Sequence, residues 1–365
     1  MKTKLLLLLA IILARHSSTL GQNIEIRLSV KVIVNATSGA RPTGITDVLL
    51  NTSATNTNAW MASYWRGYRY RITEIVNIGG PSQGGASGPS KWFGLDPRTP
   101  ATTWQQFQSD TQNDSRYLFR SNQVNYYITM GPVSNSGGAA PIAGNPSDNG
   151  FLSCYGLVNT GPWWMVHETG HFFGLGHTFG GAVCPATSAG DDGIIDTLPE
   201  VDCWTRDQIA NNSYGVPYNS LNPAQQRLVD DTFFNVMSYH NAATKDTDEN
   251  RMTELQLDRY ADMANSIRAA TVNGRTHFVS LSGSDAGAGS STSPYQTVTR
   301  AVTAANAAGG DIVLLRPGAY NQTLTINKSC TLRATRAGTV TIGASTALLS
   351  ASTRNIFPIS EDKER

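Results

Sequence analysis

The stretch that decides the fold is His167-Glu168-Thr169-Gly170-His171-Phe172-Phe173-Gly174-Leu175-Gly176-His177, which has the spacing H-E-x-x-H-x-x-G-x-x-H. On a helix, His167 and His171 lie one turn apart on the same face, so both imidazoles can reach one metal ion. Gly174 lets the chain leave the helix through a backbone conformation that is costly for other residues. The turn then brings His177 round as a third ligand. Three nitrogen ligands and one open position are typical of a catalytic zinc site, so we predict Zn²⁺ as the cofactor.

Glu168 directly follows the first histidine, where its carboxylate can accept a proton from water activated by the metal. The alternative interpretation is a chance H-E-x-x-H in an ordinary helix, with histidines that serve only the core or the surface. Gly174 and His177 complete an eleven-residue pattern, which favours the zinc interpretation.

A second element, Asn235-Val236-Met237-Ser238-Tyr239, comes later in the chain. Taken with the histidine motif, it resembles the metzincins, zinc peptidases that combine the long histidine motif with a later Met-turn. The resemblance implies that Met237 lies beneath the metal as a hydrophobic floor. It also implies that Tyr239 binds the metal or the oxyanion of the intermediate. Without the zinc motif, Met237 would be interpreted as an ordinary core methionine.

Further stretches are similar to the pappalysin (cytophagalysin) family, namely His177-Thr178-Phe179, Cys184, residues 191–197, Cys203 and Arg251-Met252-Thr253-Glu254-Leu255-Gln256. The similarity spans residues 25–270, and its specific motifs lie within 160–260. Gly176 stands where this family often has a bulky residue, and Leu198 separates Thr197 from Pro199. The resemblance implies an α+β, zincin-like catalytic domain with a mixed sheet and an active-site helix. Its substrate would be a protein or peptide, cleaved at internal peptide bonds.

The four cysteines are Cys154, Cys184, Cys203 and Cys330. Cys184 and Cys203 bracket the loop after the zinc motif, and in an oxidising compartment a disulfide is the ordinary expectation. The family resemblance implies the same pair. We expect Cys154 and Cys330 to be buried free thiols.

Three acidic residues, Asp191, Asp192 and Asp196, crowd together inside that loop. Hard oxygen ligands in a turn suit Ca²⁺, and the resemblance implies calcium sites near this position. The other interpretation is a solvated acidic loop. Both stay open at the level of sequence.

The N-terminus is typical of a secreted protein. A basic start at residues 1–4, an apolar run at 5–14 and a polar, small-residue stretch to Gly21 predict a signal peptide over residues 1–21. The apolar run is too short to span a bilayer, and no later stretch reaches the necessary length. With 28 basic and 27 acidic residues, the net charge is +1 and no basic patch stands out, which argues against nucleic acid as a partner. The oligomeric state is left open.

Alternation and helical periodicity predict the main elements of a peptidase domain over residues 22–273. Strands are predicted at 24–34, 68–78 and 124–130, and helices at 46–67, 103–113 and 161–174. A closing helix carries Leu257 and Tyr260. The segments 139–144 and 150–156 are the candidates for an edge strand that pairs with an extended substrate.

From Thr276 onward, short apolar strands alternate with turns, including 311–320, 323–326 and 339–342. This pattern resembles a partial right-handed parallel β-helix, as in pectate-lyase-like proteins, over residues 276–350, followed by an irregular tail over 351–365. A stable solenoid needs at least about three repeats, and about two are present. The other interpretation is a β-rich appendage without chemistry, so residues beyond 276 are expected to be dispensable for peptide hydrolysis.

That C-terminal segment also supplies an alternative function, a polysaccharide-binding or polysaccharide-lyase-like β-helix joined to an inactive peptidase-like domain. Asp311 and Arg316 are the residues that such a lyase could use. A lyase needs several acidic and basic residues along a groove, whereas the zinc motif is complete. The peptidase interpretation is therefore preferred.

Overall fold

The computed structural model describes residues 24–95, 101–130, 138–139, 150–154, 163–240, 251–336 and 338–343. The predicted signal peptide and the irregular tail lie outside these residues. The helices are α1 Asp47–Ser63, α2 Ala101–Asn113, α3 Trp163–Phe172, α4 Arg206–Tyr214, α5 Pro223–Phe233, α6 Glu254–Asn265 and α7 Val298–Ala304. The strands are β1 Ile24–Val34, β2 Tyr68–Gly79, β3 Val124–Thr129, β4 Gly138–Ala139, β5 Gly150–Cys154, β6 Thr276–Val279, β7 Asp311–Leu315, β8 Gly318–Tyr320, β9 Cys330–Ala334 and β10 Val340–Ile342.

A five-stranded mixed sheet forms the centre of the larger part of the molecule. Its strand order is β2-β1-β3-β5-β4, with parallel pairing throughout except for β4, which runs antiparallel to β5. Strand β5 therefore lies between two neighbours, which excludes 150–156 as the edge strand. Among the described residues, β4 forms that edge of the sheet; it shares only Ala139 with the other predicted segment, 139–144, whose remaining residues lie outside the described set.

Both faces of the sheet are covered, which explains why β1 is buried over nearly its whole length. Alternate residues of β1 point to opposite faces because the side-chain period of a strand is two. Ile26 and Val30 belong to an apolar cluster with Leu50 of α1 and Val166 of α3. Ile33 lies on the other face, in a cluster that includes Phe107. The active-site helix thus packs on one face of the sheet and α2 on the other.

One charged residue of β1, Lys31, is fully buried. Its Nζ donates to Ser29 Oγ and to Asn125 Oδ1, each at 2.5 Å. Burial lowers the pKa of Lys31 from its ordinary 10.5 to about 7, and the nearby Glu74 carboxylate opposes that shift. The ammonium form is therefore held less strongly in the folded protein than in water.

Helices α4, α5 and α6 each begin with a capping motif in the sequence. Thr205, Asn222 and Thr253 each cap a helix, with a glutamine three residues later that returns a hydrogen bond to the cap. Such reciprocal capping satisfies amide groups that the first helical turn leaves without partners. α4 and α5 enclose a small apolar cluster of their own.

The C-terminal segment consists of parallel strands, in the order β6-β7-β9, with a second pair β8 and β10. The prediction of a strand at 323–326 was wrong, because the chain there has no regular structure and the strand lies at Cys330–Ala334 instead. The parallel pairing is compatible with coils of a β-helix, which stays a prediction. Cys330 is a free, half-buried cysteine, whereas the side chain of Cys154 lies outside the described set.

Residues beyond 276 share a core with the rest of the chain. Phe278, Ile312 and Leu314 are fully buried in the same apolar cluster as β1 and α3. Polar contacts cross the same junction, since Arg316 pairs with Asp258 of α6. The expected dispensability of this segment does not agree with these contacts, because removing it would expose apolar side chains of the core.

None of the helices in the described part of the chain has the length and apolar character needed to cross a membrane.

Candidate metal centre

The first two histidines of the motif lie on one face of α3, as the spacing predicted. The Nε2 atoms of His167 and His171 are 3.2 Å apart. His177 comes from the turn after the helix, and its Nε2 lies 3.0 Å from that of His171 and 3.3 Å from that of His167. In a tetrahedral zinc site with bonds of about 2.05 Å, neighbouring ligand nitrogens lie about 3.3 Å apart. The three nitrogens therefore have the separations of ligands to a single ion.

Hydrogen bonds at the other ring nitrogens support the same conclusion. His167 Nδ1 lies 2.7 Å from the Val236 carbonyl oxygen, and His171 Nδ1 lies 2.8 Å from that of Leu175. A carbonyl oxygen only accepts, so each Nδ1 carries the proton and donates it. In the neutral imidazole, each Nε2 then presents a lone pair toward the centre of the trio. Two lone pairs at this distance repel unless a cation lies between them, so the donor set fits a metal ion.

Burial also favours the neutral, ligating form of the His171 ring. His171 is almost fully buried, and desolvation lowers its pKa, an effect that its hydrogen bond to Leu175 partly offsets. A neutral imidazole is the form that binds a metal.

Gly174 ends the helix in the way the sequence predicted. Its φ is +88°, in the left-handed region that favours glycine. The Leu175 amide donates to the Gly170 carbonyl and the Gly174 amide to that of His171, each at 2.9 Å. This double closure is a Schellman motif, which turns the chain sharply after the helix. The turn carries His177 back to the metal centre.

Two arginines bond to the same turn, and sequence reasoning missed both. Arg259 Nε donates to the Gly174 carbonyl at 2.7 Å. Arg268 is fully buried, and its Nε donates to the Phe172 carbonyl at 3.1 Å. Positive charge at the last carbonyls of a helix offsets the negative end of its dipole. Both residues therefore stabilise the segment between the second and third histidines.

Met237 lies directly against the metal helix. It is fully buried, and a Cβ at Gly170 would approach its Sδ to 2.5 Å. Gly170 stands between the two helical histidines, so its lack of a side chain is what lets the methionine sulfur approach. Sequence reasoning did not single out Gly170, since a glycine within a helix ordinarily signals only low helix propensity.

Tyr239 lies beside the histidine trio and is half-exposed. Its ring centroid is 4.7 Å from that of His177 and 5.8 Å from that of His167. Phe179 fills the space beneath, with its ring stacked on His177 at 4.6 Å. Glu168 is buried on α3 next to His167. Ring contacts thus bring the three histidines and Tyr239 together, and Glu168 directly follows His167 on α3.

The acidic loop makes contacts that the sequence did not reveal. Asp192 Oδ1 accepts from Thr197 Oγ1 at 2.6 Å, and its other oxygen accepts from Gln256 Nε2 at 3.2 Å. Burial raises the pKa of Asp192. Asp196 accepts from the side chain of Thr253 at 2.6 Å and from the Leu255 amide at 2.9 Å. Two of the three carboxylates thus tie the loop to the start of α6.

In the described part of the chain, the carboxylates of Asp191, Asp192 and Asp196 do not converge as the histidine nitrogens do. The calcium site stays a prediction, and thermal melts with and without Ca²⁺ test it.

The disulfide between Cys184 and Cys203 is present, with a Cα–Cα separation of 6.1 Å.

The two residues that a lyase could use, Asp311 and Arg316, bond to other residues of the chain. Asp311 accepts from His277 Nε2 and from the Asn306 amide, each at 2.8 Å, and Arg316 pairs with Asp258. These contacts join the C-terminal strands to one another and to α6, and they favour a structural role.

Comparisons with known proteins give distant similarities. Residues 281–327 match a family described as a protein of unknown function (DUF1565). None of the curated proteins matches the chain.

Two solved structures are similar in part. One is mature mirolysin of Tannerella forsythia in complex with a cleaved peptide, 16% identical with a TM-score of 0.44, covering 68% of this chain and 95% of that chain. The other is a chaperone–substrate complex, 15% identical with a TM-score of 0.28, covering 46% of this chain and 26% of that one. This chain therefore spans about a quarter of the chaperone–substrate chain. These distant similarities do not establish a function, which is inferred from the residues of the site.

Proposed function

We propose that this protein is a secreted zinc-dependent endopeptidase of the metzincin type, with a zincin-like catalytic domain similar to the pappalysins. The observation that carries the proposal is the convergence of His167, His171 and His177, whose Nε2 atoms lie 3.0–3.3 Å from one another. The signal-peptide pattern and the disulfide support secretion, since disulfides persist in oxidising compartments.

His167, His171 and His177 would hold the zinc ion. When bound, zinc supplies Lewis-acid chemistry, because it lowers the pKa of water to about 7 and polarises a carbonyl group. The hydrogen bonds from His167 and His171 to backbone carbonyls orient these rings and increase the basicity of their ligating nitrogens.

Glu168 acts as the general base and then as the general acid. It accepts a proton from the water that attacks the peptide carbonyl and passes that proton to the leaving amine. Its position next to His167, on a buried face of α3, keeps the carboxylate beside the reacting atoms. Tyr239 donates its hydroxyl proton in a hydrogen bond to the oxyanion, a contact made chiefly in the transition state.

The substrate is an extended peptide that pairs antiparallel with β4, on the side that no described strand occupies. Strand β4 is the last strand of the described sheet and pairs with β5. An edge strand presents unpaired amide and carbonyl groups to a peptide. Backbone pairing of this kind holds the peptide without selecting its sequence. It therefore suits an endopeptidase that acts on unfolded or flexible segments.

Turnover of casein and of quenched peptide substrates by the purified chain and by Glu168→Ala tests the proposal. We expect the variant to retain zinc and to lose activity by roughly 10²–10⁴-fold, the usual contribution of a positioned acid–base group. Glu74→Gln, which alters a carboxylate paired with Arg120 on the sheet, is the matched control and should hydrolyse normally. Hydrolysis by Glu168→Ala near the wild-type rate would exclude the proposed role, and polyuronate turnover would favour the lyase alternative.

A further inference from the structure

Outside the zinc motif, the loop closed by the disulfide contributes one fully buried carboxylate, that of Glu200. Its Oε2 lies 2.5 Å from His240 Nε2, and its Oε1 accepts a hydrogen bond from Thr178 Oγ1. Thr178 directly follows the third histidine, and His240 directly follows Tyr239. One side chain thus bonds to the immediate neighbours of two residues in the metal centre.

The backbone of Glu200 is fixed as firmly as its side chain. Its amide donates to the Gly190 carbonyl at 2.9 Å, and the Gly190 amide donates back at 2.8 Å. Gly190 in turn packs against the Phe179 backbone so closely that a Cβ there would lie 1.9 Å from the Phe179 carbonyl oxygen. The carboxylate therefore cannot follow its partners if they move.

The partners of Glu200 are buried too. Thr178 is fully buried, and its amide donates to the Met237 carbonyl at 3.4 Å. His240 is buried with its ring stacked on Phe233 at a centroid distance of 4.6 Å. Both faces of the link are thus enclosed, since the His240 ring nitrogen that bonds to Glu200 belongs to a buried side chain.

The contacts of Glu200 join two segments of the site that lie outside its helix. His167 and His171 are held by a helix, but His177 and Tyr239 come from two non-helical segments that are far apart in sequence. One contact that already joins these segments is the long hydrogen bond from the Thr178 amide to the Met237 carbonyl, at 3.4 Å. A shift of either segment by about 1 Å can cost about 10²-fold in rate. A carboxylate that accepts from both segments holds them at one separation.

We propose that Glu200 is a positioning residue that fixes His177 through Thr178 and Tyr239 through His240. The proposal rests on the proposed function for its effect on zinc and catalysis, but the ordering of the two segments can be measured without either. Glu200 itself touches neither the ligand nitrogens nor the substrate.

The substitution Glu200→Gln tests this with little change of shape. An amide has only one oxygen, so it cannot accept hydrogen bonds from Thr178 and His240 with two separate oxygens. We expect zinc affinity to fall by about 10-fold, at the lower end of the usual loss when a support of a metal ligand is removed. We expect kcat to fall by a similar factor with little change in KM, because Tyr239 acts chiefly in the transition state.

A second substitution, Thr178→Val, separates the two ties. It keeps the side-chain shape and removes only the donor on the His177 side. Zinc affinity should fall as in Glu200→Gln, whereas kcat at saturating zinc should stay closer to that of the wild type. Glu25→Gln is the matched control, since Glu25 is a buried, paired carboxylate on β1 that bonds to Arg69 and Arg71.

The deciding measurements are chelator competition for zinc and hydrogen–deuterium exchange of the metal-free protein. Faster exchange in 177–182 and 235–240 in Glu200→Gln, with 24–34 unchanged, together with the loss of zinc affinity, is the expected result. Wild-type zinc affinity and exchange in Glu200→Gln would overturn the proposal, and so would equal effects in Glu25→Gln. A wild-type protein that binds no zinc would refute the proposed function, and the exchange of the metal-free protein would still decide whether Glu200 orders the two segments.

Discussion

The substitution Gly170→Ala perturbs the contact between helix α3, which carries His167 and His171, and Met237. The added Cβ would lie 2.5 Å from Met237 Sδ and 3.2 Å from its Cε, so the methionine must move. Overpacking of this kind costs about 1–3 kcal/mol. Replacing glycine by alanine within a helix stabilises the helix by about 1 kcal/mol. The expected net loss of stability is therefore about 1 kcal/mol, within the interval from 0 to about 2.

The effect on metal binding should exceed the effect on stability. Movement of Met237 displaces its neighbour Val236, whose carbonyl accepts the hydrogen bond from His167 at 2.7 Å. Loss of such a support typically lowers metal affinity by about 10–100-fold, so a 10-fold weaker zinc affinity is the expected result.

Urea unfolding and chelator competition measure the two quantities, with Gly176→Ala as control. A Cβ at Gly176 would meet nothing closer than 3.7 Å, an ordinary contact, so this variant should behave as wild type. In the double variant Gly170→Ala/Met237→Ala the clash is absent, and the loss of stability should be smaller than the sum of the two single losses. A Gly170→Ala protein with undiminished stability and wild-type zinc affinity would refute the reasoning.

Three further predictions concern the fold. Between pH 6 and 8.5, Lys31 should make the folded state more stable by about 2 kcal/mol as pH rises, because a folded pKa of about 7 lies below the ordinary 10.5 and the unfolded chain binds more protons in between. Urea unfolding across this range should show the slope in the wild type and a flatter profile in Lys31→Met; equal slopes would contradict the assigned cause. A chain ending at Asn273 should lose roughly 5 kcal/mol or fail to fold, from the loss of three buried apolar side chains at about 1.5–3 kcal/mol each. A soluble truncated protein with the wild-type melting temperature would argue against a shared core. Cys184→Ser/Cys203→Ser should lower the free energy of unfolding by about 3 kcal/mol, and an unchanged melting temperature would show that the bridge does not form.

The convergence of the three histidines could be predicted from sequence because its geometry is local. Helical spacing places His167 and His171 on one face, and the positive φ at Gly174 turns His177 toward them. Strands β1 and β2 could be predicted for the same reason, because alternation of apolar and polar residues is a local pattern. That pattern did not reveal the burial of Ser29 and Lys31 on β1.

What the sequence did not reveal depends on contacts between distant segments. Glu200 is separated from Thr178 by 22 residues and from His240 by 40. A single acidic residue in a loop is ordinarily solvated, and nothing local distinguishes this one. Gly170 was passed over because the reason for it is the sulfur of Met237, which lies on another part of the chain.

The packing at the junction with the C-terminal segment was not revealed by the sequence, for a related reason. The change of composition near Thr276 is real, but composition says nothing about which faces pack together. Phe278 and Ile312 lie on short strands that are buried throughout, and the sequence does not specify that these two side chains join the apolar cluster of β1 and α3. A boundary in composition therefore need not be a boundary in the core.

Zinc content tests the central claim most directly. The mature chain, purified without a histidine tag and dialysed against metal-free buffer, should contain one zinc ion per molecule by elemental analysis. The variant with His167, His171 and His177 all replaced by alanine should contain none, while Glu168→Ala retains full occupancy and loses hydrolysis. Full zinc occupancy in the triple variant, or none in the wild type after zinc is supplied, would contradict the account.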